Sequence, residues 1–347
     1  MATYCKRRSF NMSRIKEILN QLLKKADIEI NGPRPWDIQI TNEQLYSAVM
    51  RKQSLGLGEA YIAKWWEVQK LDEFFIRLLN AKLDDLFHAE ILKNPSLLVY
   101  GIRPLARYIK ASLFNYQTQR RAFQIGEKHY DVGNDLFSVM LDKEMNYTCG
   151  YWREATTLDE AQAAKCDLIC KKLYLEPGQT ILDIGCGWGS FARHAARYYG
   201  VSVVGVTVSK EQKALAEELC KGLPIEIRLQ DYRDVKEKFD NIVSIGMFEH
   251  VGYKNYRTYM QVAKRCLNKG GKFLLHTMGA NFTSPTGDEW IQRYIFPNST
   301  LPSIKQMGQS IENLFIMEDW HNFGPDYAKT LYAWHANFEK NWDKLKG

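Results

Sequence analysis

The chain has 347 residues, 45% of them hydrophobic, and a formal net charge of +7. That length accommodates a full α/β domain plus a smaller one, and no stretch reaches the roughly 18 uncharged apolar residues that a membrane span requires. The basic Lys6, Arg7 and Arg8 are followed by no apolar signal core, and seven cysteines without Cys-x-x-Cys spacing read as reduced thiols, so a cytoplasmic protein without a zinc site is expected.

From Ser13 to about Ala122 the pattern is mostly helical. Ile15-x-x-Ile18-Leu-x-x-Leu22 and Leu71-x-x-Phe74-Phe-x-x-Leu78 both recur at helical spacing. Between them, Ser54-Leu-Gly-Leu-Gly-Glu-Ala-Tyr-Ile-Ala-Lys-Trp-Trp66 reads as a glycine-punctuated turn leading into an aromatic helix, with Trp65 and Trp66 as core residues. From Gly101 to Gly126 stand Arg103, Arg107, Lys110, Arg120 and Arg121 with no acid, interleaved with Tyr108, Phe114, Tyr116 and Phe123. This composition suits nucleic acid, the headgroups of an anionic membrane, or simply a solvated basic face, and composition favours the last. Around Gln124 the character changes to a dense run of polar and aromatic residues. It leads to Asn146-Tyr-Thr-Cys-Gly-Tyr-Trp152, which is too irregular for an amphipathic helix.

Leu158 to Leu173 is a predicted helix, and Glu176-Pro-Gly178 a turn into the strand Thr180-Ile-Leu-Asp-Ile184. After it, the spacing predicts strands at Val201–Val206, Ile225–Leu229, Asn241–Ile245 and, after Asn268-Lys-Gly-Gly271, at Lys272–Thr277, with helices from Ser190, at Lys210–Lys221 and at Tyr256–Leu267. Strands alternating with helices imply a parallel sheet covered on both faces, with ligands beyond the carboxyl ends of its strands. The segments of interest are then 185–189, 207–212, 230–233, 246–252 and 276–279.

The first strand breaks into Asp183-x-Gly185-x-Gly187-x-Gly189. Glycines there let a ligand approach the backbone. The spacing is not the Gly-x-Gly-x-x-Gly of a pyrophosphate cradle, and the acid two residues before the first glycine suits a cationic ligand better. The string resembles motif I of class I S-adenosylmethionine-dependent methyltransferases. Glu249, His250 and His276 lie at strand ends of the same sheet edge and are candidates for acid-base work, each with a structural hydrogen-bonding role as the alternative.

Taken together, the run Gln124–Phe137, Tyr147-Thr-Cys-Gly-Tyr-Trp152, Gly185–Gly189, Gly246-Met-Phe-Glu-His-Val-Gly252, Leu275-His-Thr277 and Trp320–Leu331 resemble the bacterial cyclopropane-fatty-acyl-phospholipid synthases. The resemblance implies an α/β, Rossmann-like class I methyltransferase domain over 123–347 behind a helical, membrane-associating domain over 1–122. It implies transfer of a methylene from S-adenosylmethionine onto the cis double bond of a phospholipid acyl chain, through a carbocation that bound bicarbonate deprotonates.

By motif, Cys149, Glu249, His276, Met278 (through its backbone) and Tyr327 would hold that bicarbonate. Gly185, Gly187, Tyr147, Thr148, Thr207, Gln212 and Tyr232 would contact the cofactor, with Asp231 a weaker candidate. The ribose-binding acid common at the end of strand two is absent, and Thr207-Val-Ser209 stands in its place. The expected partner is an anionic phospholipid membrane at the inner face of the cell envelope, not nucleic acid, with a possible homodimer. Amine methylation, or cofactor and membrane binding without turnover, are the alternatives. Family members continue past the helix that holds Tyr327 with an antiparallel strand and a further cysteine. Asn313–Phe323 is therefore expected as a sixth strand with an unpaired edge.

Overall fold

The computed structural model describes residues 2–83, 86–87, 89, 93, 97–119 and 134–345, with side chains from residue 12 onward. Arg120, Arg121, Phe123 and residues 124–133 of the polar-aromatic run lie outside the described residues. Two compact units form. One comprises the chain up to Phe114 with Asp288–Tyr294, the other Asn115–Gly287 with Ile295–Gly347.

The first unit contains helices α1 (Ala2–Lys25), α2 (Gln44–Ile62), α3 (Leu71–Asn80) and α4 (Leu98–Leu113), and a two-residue ribbon of β1 (Gln39–Ile40) against β2 (Trp66–Glu67). Ile15, Ile18 and Leu22 share one face of α1 and pack with Tyr46, Met50 and Leu97, as the three- and four-residue spacing requires. Trp66 is core: it is 1% exposed, packs on Phe74, and its indole N–H donates to the Leu57 carbonyl at 2.9 Å.

The turn expected at Ser54 is instead helix. α2 runs through to Ile62 with a single kink at Gln53, where φ is 50°. Glycine's poor helix propensity yields here to packing, because a Cβ at Gly56 would stand 2.1 Å from the Ala48 carbonyl oxygen. The aromatic pair follows α2 as turn and ribbon, not helix.

The basic face read from composition is also altered. Arg103 and Arg107 both pair with Glu289, and Arg107 donates to Gln292 at 3.0 Å. Beside the exposed Lys110, α4 presents the apolar stripe Leu98, Ile102, Leu105 and Ile109.

The second unit begins with α5 (Asn134–Met140) and α6 (Leu158–Lys172), then builds a five-stranded sheet. Its strands are β3 (Thr180–Ile184), β4 (Ser202–Thr207), β5 (Ile225–Leu229), β6 (Phe239–Ile245) and β7 (Leu267–His276), and every pairing in the order β5-β4-β3-β6-β7 is parallel. α7 (Ser190–Tyr199), α8 (Lys210–Leu219) and α9 (Tyr256–Cys266) are the crossovers, and α10 (Ile304–Ile311) and α11 (Pro325–Leu345) follow β7. α6 starts at a capping box in which Thr157 and Glu160 satisfy each other's backbone amides.

The central strand β3 is buried on both faces, so its pleat sends side chains to two cores. Ile181 joins Val203, Val243, Phe191 and Cys170, whereas Leu182 and Ile184 join Val206, Ile242, Tyr259 and Met260. This is the parallel sheet that the alternation implied, in the arrangement expected from the resemblance to class I methyltransferases.

Two expectations fail at the β7 edge. The strand expected to start at Lys272 already begins at Leu267 and takes in Asn268–Gly271, accommodated by a register shift between Phe239 and Asn241. Asn313–Phe323 forms no strand: Leu314 and Phe315 pack on the core, and Ile316, Met317 and Trp320 are exposed. A strand needs a ladder partner, and among the described residues none lies beyond β7. Cys149, Cys166, Cys170, Cys186, Cys220 and Cys266 are free and buried, and no helix among the described residues is long and apolar enough to cross a membrane.

Candidate active site

Parallel strands deliver their following turns to one edge of the sheet, and the predicted site residues of this unit gather there. After β3, Gly185 and Gly187 adopt φ of +82° and +55°, a region open to glycine at little cost. A Cβ at Gly185 would meet Met247 Cγ at 2.6 Å, whereas one at Gly187 would meet nothing within 4 Å. The first glycine lets the β3 and β6 turns touch. The second leaves the backbone open to a ligand.

Asp183, one turn below, is buried, and burial pushes its carboxyl up to about 7 against the opposing pull of Lys165. Beyond β4, the Thr207 hydroxyl donates to Gln212 Oε1 at 2.9 Å, and Ser209 caps α8 by accepting from the Gln212 amide. Tyr232 lies in the core against Tyr259, its hydroxyl without a hydrogen-bond partner among the described residues. Asp231 accepts from Arg233.

The β6 and β7 turns are joined. Gly246 N–H donates to the His276 carbonyl, and Met278 N–H donates to Glu249 Oε1 at 2.8 Å. Glu249 is 4% exposed, and burial raises its pKa while the Met278 amide opposes the rise. Its Oε2 and the Nδ1 of His276 have no hydrogen-bond partner among the described residues. His276 stacks on Phe323, and burial lowers its pKa to about 3, with the Lys165 charge adding to the effect. The imidazole is neutral at physiological pH.

Cys149 comes to this edge from the irregular 146–152 loop. Its thiol is pushed up to about 11 by burial and stays protonated. Tyr327 arrives on α11; burial first, then Tyr147, Glu249 and Cys149, raise its phenol above the usual range. Those four groups are therefore electrostatic neighbours. Tyr147 packs among Phe137, Trp334 and Phe296, which with Trp188 form an aromatic wall.

Several residues that hold the site were not apparent from motif reading. The Arg193 guanidinium, 2% exposed, bonds Glu144 and the Trp188 carbonyl. Thr330 accepts from the Gly150 amide and the Trp152 indole. Lys165 is buried on the inward stripe Leu158, Ala161, Gln162, Lys165, Ile169 of α6. A lysine on a helix face that is apolar but for Gln162 is the signal that sequence offered.

A family model described as mycolic acid cyclopropane synthetase matches residues 117–347. Cyclopropane-fatty-acyl-phospholipid synthase of Escherichia coli (strain K12) is 50% identical over 328 residues, 94% of this chain and 83% of that protein. The chain belongs to the cyclopropane synthase family. Among solved structures, cyclopropane synthase MmaA2 from Mycobacterium tuberculosis superposes with a TM-score of 0.60 at 33% identity, covering 64% of this chain and 85% of that one. Mycolic acid cyclopropane synthase CmaA1, solved in complex with SAH and CTAB, gives 0.59 at 36% identity over 64% and 85%. With the sheet order above, these place the second unit among the S-adenosylmethionine-dependent methyltransferases of the cyclopropane synthase family.

Proposed function

We propose that this enzyme adds a methylene from S-adenosylmethionine across the cis double bond of phospholipid acyl chains to make a cyclopropane ring. The observation that carries this reading is the 50% identity over 94% of the chain to a protein named for that activity. The site chemistry agrees with it. An alkene is a weak nucleophile, so the reaction needs alignment, a dry site and a way to remove one proton from the newly added methyl before the ring closes. When bound, S-adenosylmethionine supplies the electrophilic methyl, and bicarbonate, in this reading, the base.

The residues fit both groups. Gly185 and Gly187 would leave room at the end of β3 for the methionine portion, Tyr147 and Thr148 would cap it, and Thr207 and Gln212 would reach the ribose. Tyr232, packed in the core, would border the adenine. For an oxyanion that carries one proton, Glu249 Oε2 is a buried acceptor in need of a donor, and His276 offers a neutral imidazole with an unpartnered nitrogen. The neutral Tyr327 phenol adds an O–H donor, the Cys149 thiol borders the site with its S–H turned to the Gly150 carbonyl at 3.3 Å, and the Met278 amide holds Glu249 in place. The aromatic wall of Phe137, Tyr147, Trp188 and Trp334 excludes water, which would trap a carbon cation.

The membrane role belongs in this reading to the first unit, through the apolar face of α4. Incubation with S-adenosylmethionine and vesicles of unsaturated phospholipid, followed by mass analysis of the released acyl chains, tests the whole. Gain of one CH2 with loss of the alkene is the expected result. Cofactor binding without that gain would overturn it.

A further inference from the structure

Lys165 spends a buried charge on a short loop. Its ammonium is 1% exposed and donates to Asn146 Oδ1 at 2.9 Å, Thr148 Oγ1 at 2.9 Å and Gln162 Oε1 at 2.8 Å, which uses all three of its N–H groups. Two of these acceptors stand on either side of Tyr147. Gln162 in turn donates to the Thr148 carbonyl at 2.8 Å, so α6 grips this residue through both side chain and backbone.

The same acceptors link the loop to the rest of the site. Asn146 Oδ1 also accepts from Ser190 Oγ at 2.9 Å, at the start of α7 just after the glycine turn. Asn146 is oriented from its other end by Asp142, whose carboxylate takes the Asn146 amide N–H at 2.7 Å and side-chain NH2 at 2.9 Å. The Thr148 methyl packs over Gly246, where a Cβ would approach within 2.5 Å. One ammonium thus joins α6, the glycine corner and the β6 turn.

A buried cation is costly to desolvate, and a methionine of similar length would fill the space more cheaply. Packing alone therefore does not account for a lysine here, whereas fixing a particular loop geometry does.

We propose that Lys165 is a positioning residue of this enzyme: clamped to both neighbours of Tyr147, its ammonium fixes Tyr147, Thr148 and Cys149 over the carboxyl end of the sheet. It acts through the loop and not on the reacting atoms. The inference rests on the reading of Tyr147 and Thr148 as cofactor contacts.

The test compares Lys165→Met with the parent by calorimetric titration of S-adenosylhomocysteine and by steady-state turnover on vesicles. Loss of hydrogen bonds to a charged group predicts cofactor affinity and kcat each lower by about tenfold or more, with the KM for lipid unchanged. A core truncation away from the site, Val262→Ala in α9, serves as a stability control and should hold cofactor affinity within about twofold at a comparable loss of Tm. Asn146→Ala combined with Lys165→Met should lose less affinity than the two single losses summed, since both changes break one linkage.

Affinity and kcat of Lys165→Met near parental values would overturn the proposal, as would independent, additive losses in the pair. If Lys165→Met does not fold, Gln162→Met decides: it leaves the ammonium two acceptors and should weaken the cofactor by about threefold or more, and parental affinity would overturn the proposal. A parent enzyme that fails to bind S-adenosylhomocysteine overturns the cofactor reading and this inference with it. A parent that binds, beside an unchanged Lys165→Met, overturns only this one.

Discussion

Met278 N–H donates to Glu249 Oε1 at 2.8 Å, and this bond helps tie the turn after β6 to the turn after β7 while leaving Glu249 Oε2 without a partner among the described residues. The carboxylate is thus held by one oxygen and available by the other. Glu249→Gln keeps an oxygen for the Met278 amide and removes the second acceptor. Turnover to cyclopropane product should fall by about a hundredfold or more, the range expected when proton handling is lost. Affinity for S-adenosylhomocysteine should stay within about threefold of the parent, because a neutral isostere keeps the turn. Equal loss of both would show that Glu249 is a scaffold residue.

The two glycines after β3 should respond differently to alanine. Gly185→Ala drives a Cβ to 2.6 Å from Met247 Cγ at φ +82°, and should lower unfolding free energy by about 2–3 kcal/mol. Gly187→Ala meets no protein atom within 4 Å, so its stability cost should be limited to about 1–2 kcal/mol of backbone strain. Its affinity for S-adenosylhomocysteine should nonetheless fall. Denaturant melts beside calorimetry separate the two, and an unaffected cofactor affinity in Gly187→Ala would remove that residue from the site.

His276 makes stability depend on pH with a definite sign. Its folded pKa is lowered to about 3, mainly by burial, below an unfolded value of about 6.5. Between those values the unfolded chain binds more protons, so stability rises with pH; the contribution is complete above the unfolded pKa and is lost as pH falls toward the folded one. Asp183, raised to about 7 by burial, acts in the opposite sense, stabilising at low pH and losing that contribution as pH rises through its folded pKa. His276→Gln should therefore flatten the acid limb of the stability curve, by a slope of at most about 1.4 kcal/mol per pH unit. Urea melts of both proteins across pH 4 to 7 measure this, and parallel curves would refute it.

Vesicle binding through α4 should be driven by apolar contact more than by charge. Ile102 and Leu105 are 62% and 59% exposed, while Arg103 and Arg107 are engaged with Glu289. Ile102→Asp with Leu105→Asp should weaken co-sedimentation with phospholipid vesicles by about tenfold or more. Raising salt to about 0.5 M should matter little to the parent protein. Salt-sensitive binding that ignores the double substitution would reverse this assignment.

The sequence by itself determined the layers. The β-branched runs from Thr180 to His276 alternate with helical patterns, and that periodicity alone dictates a parallel sheet, its order of turns and the edge where ligands meet it. It also marked Trp66 as core, because a large aromatic in a small helical unit has few other places to go. Glu249 and His276 were legible for the same reason as the layers, since both stand at strand ends, whereas Cys149 and Tyr327 were pointed to only by the family resemblance.

Only the tertiary structure decided what depends on distant partners. Gly56 could enter a helix because Ala48 approaches it closely, and Asn313–Phe323 formed no strand because a ladder needs a neighbour. Arg103 and Arg107 lost their standing as open cations to Glu289, about 180 residues away in sequence. Lys165 stands out in sequence only as a lysine on an inward helix face, and Arg193 looks like an ordinary surface helix residue, until the fold buries both against the 144–148 loop. A hydrogen bond or ion pair between remote residues leaves no periodic trace in sequence, so the groups that hold this site in shape emerged only when the chain was closed around them.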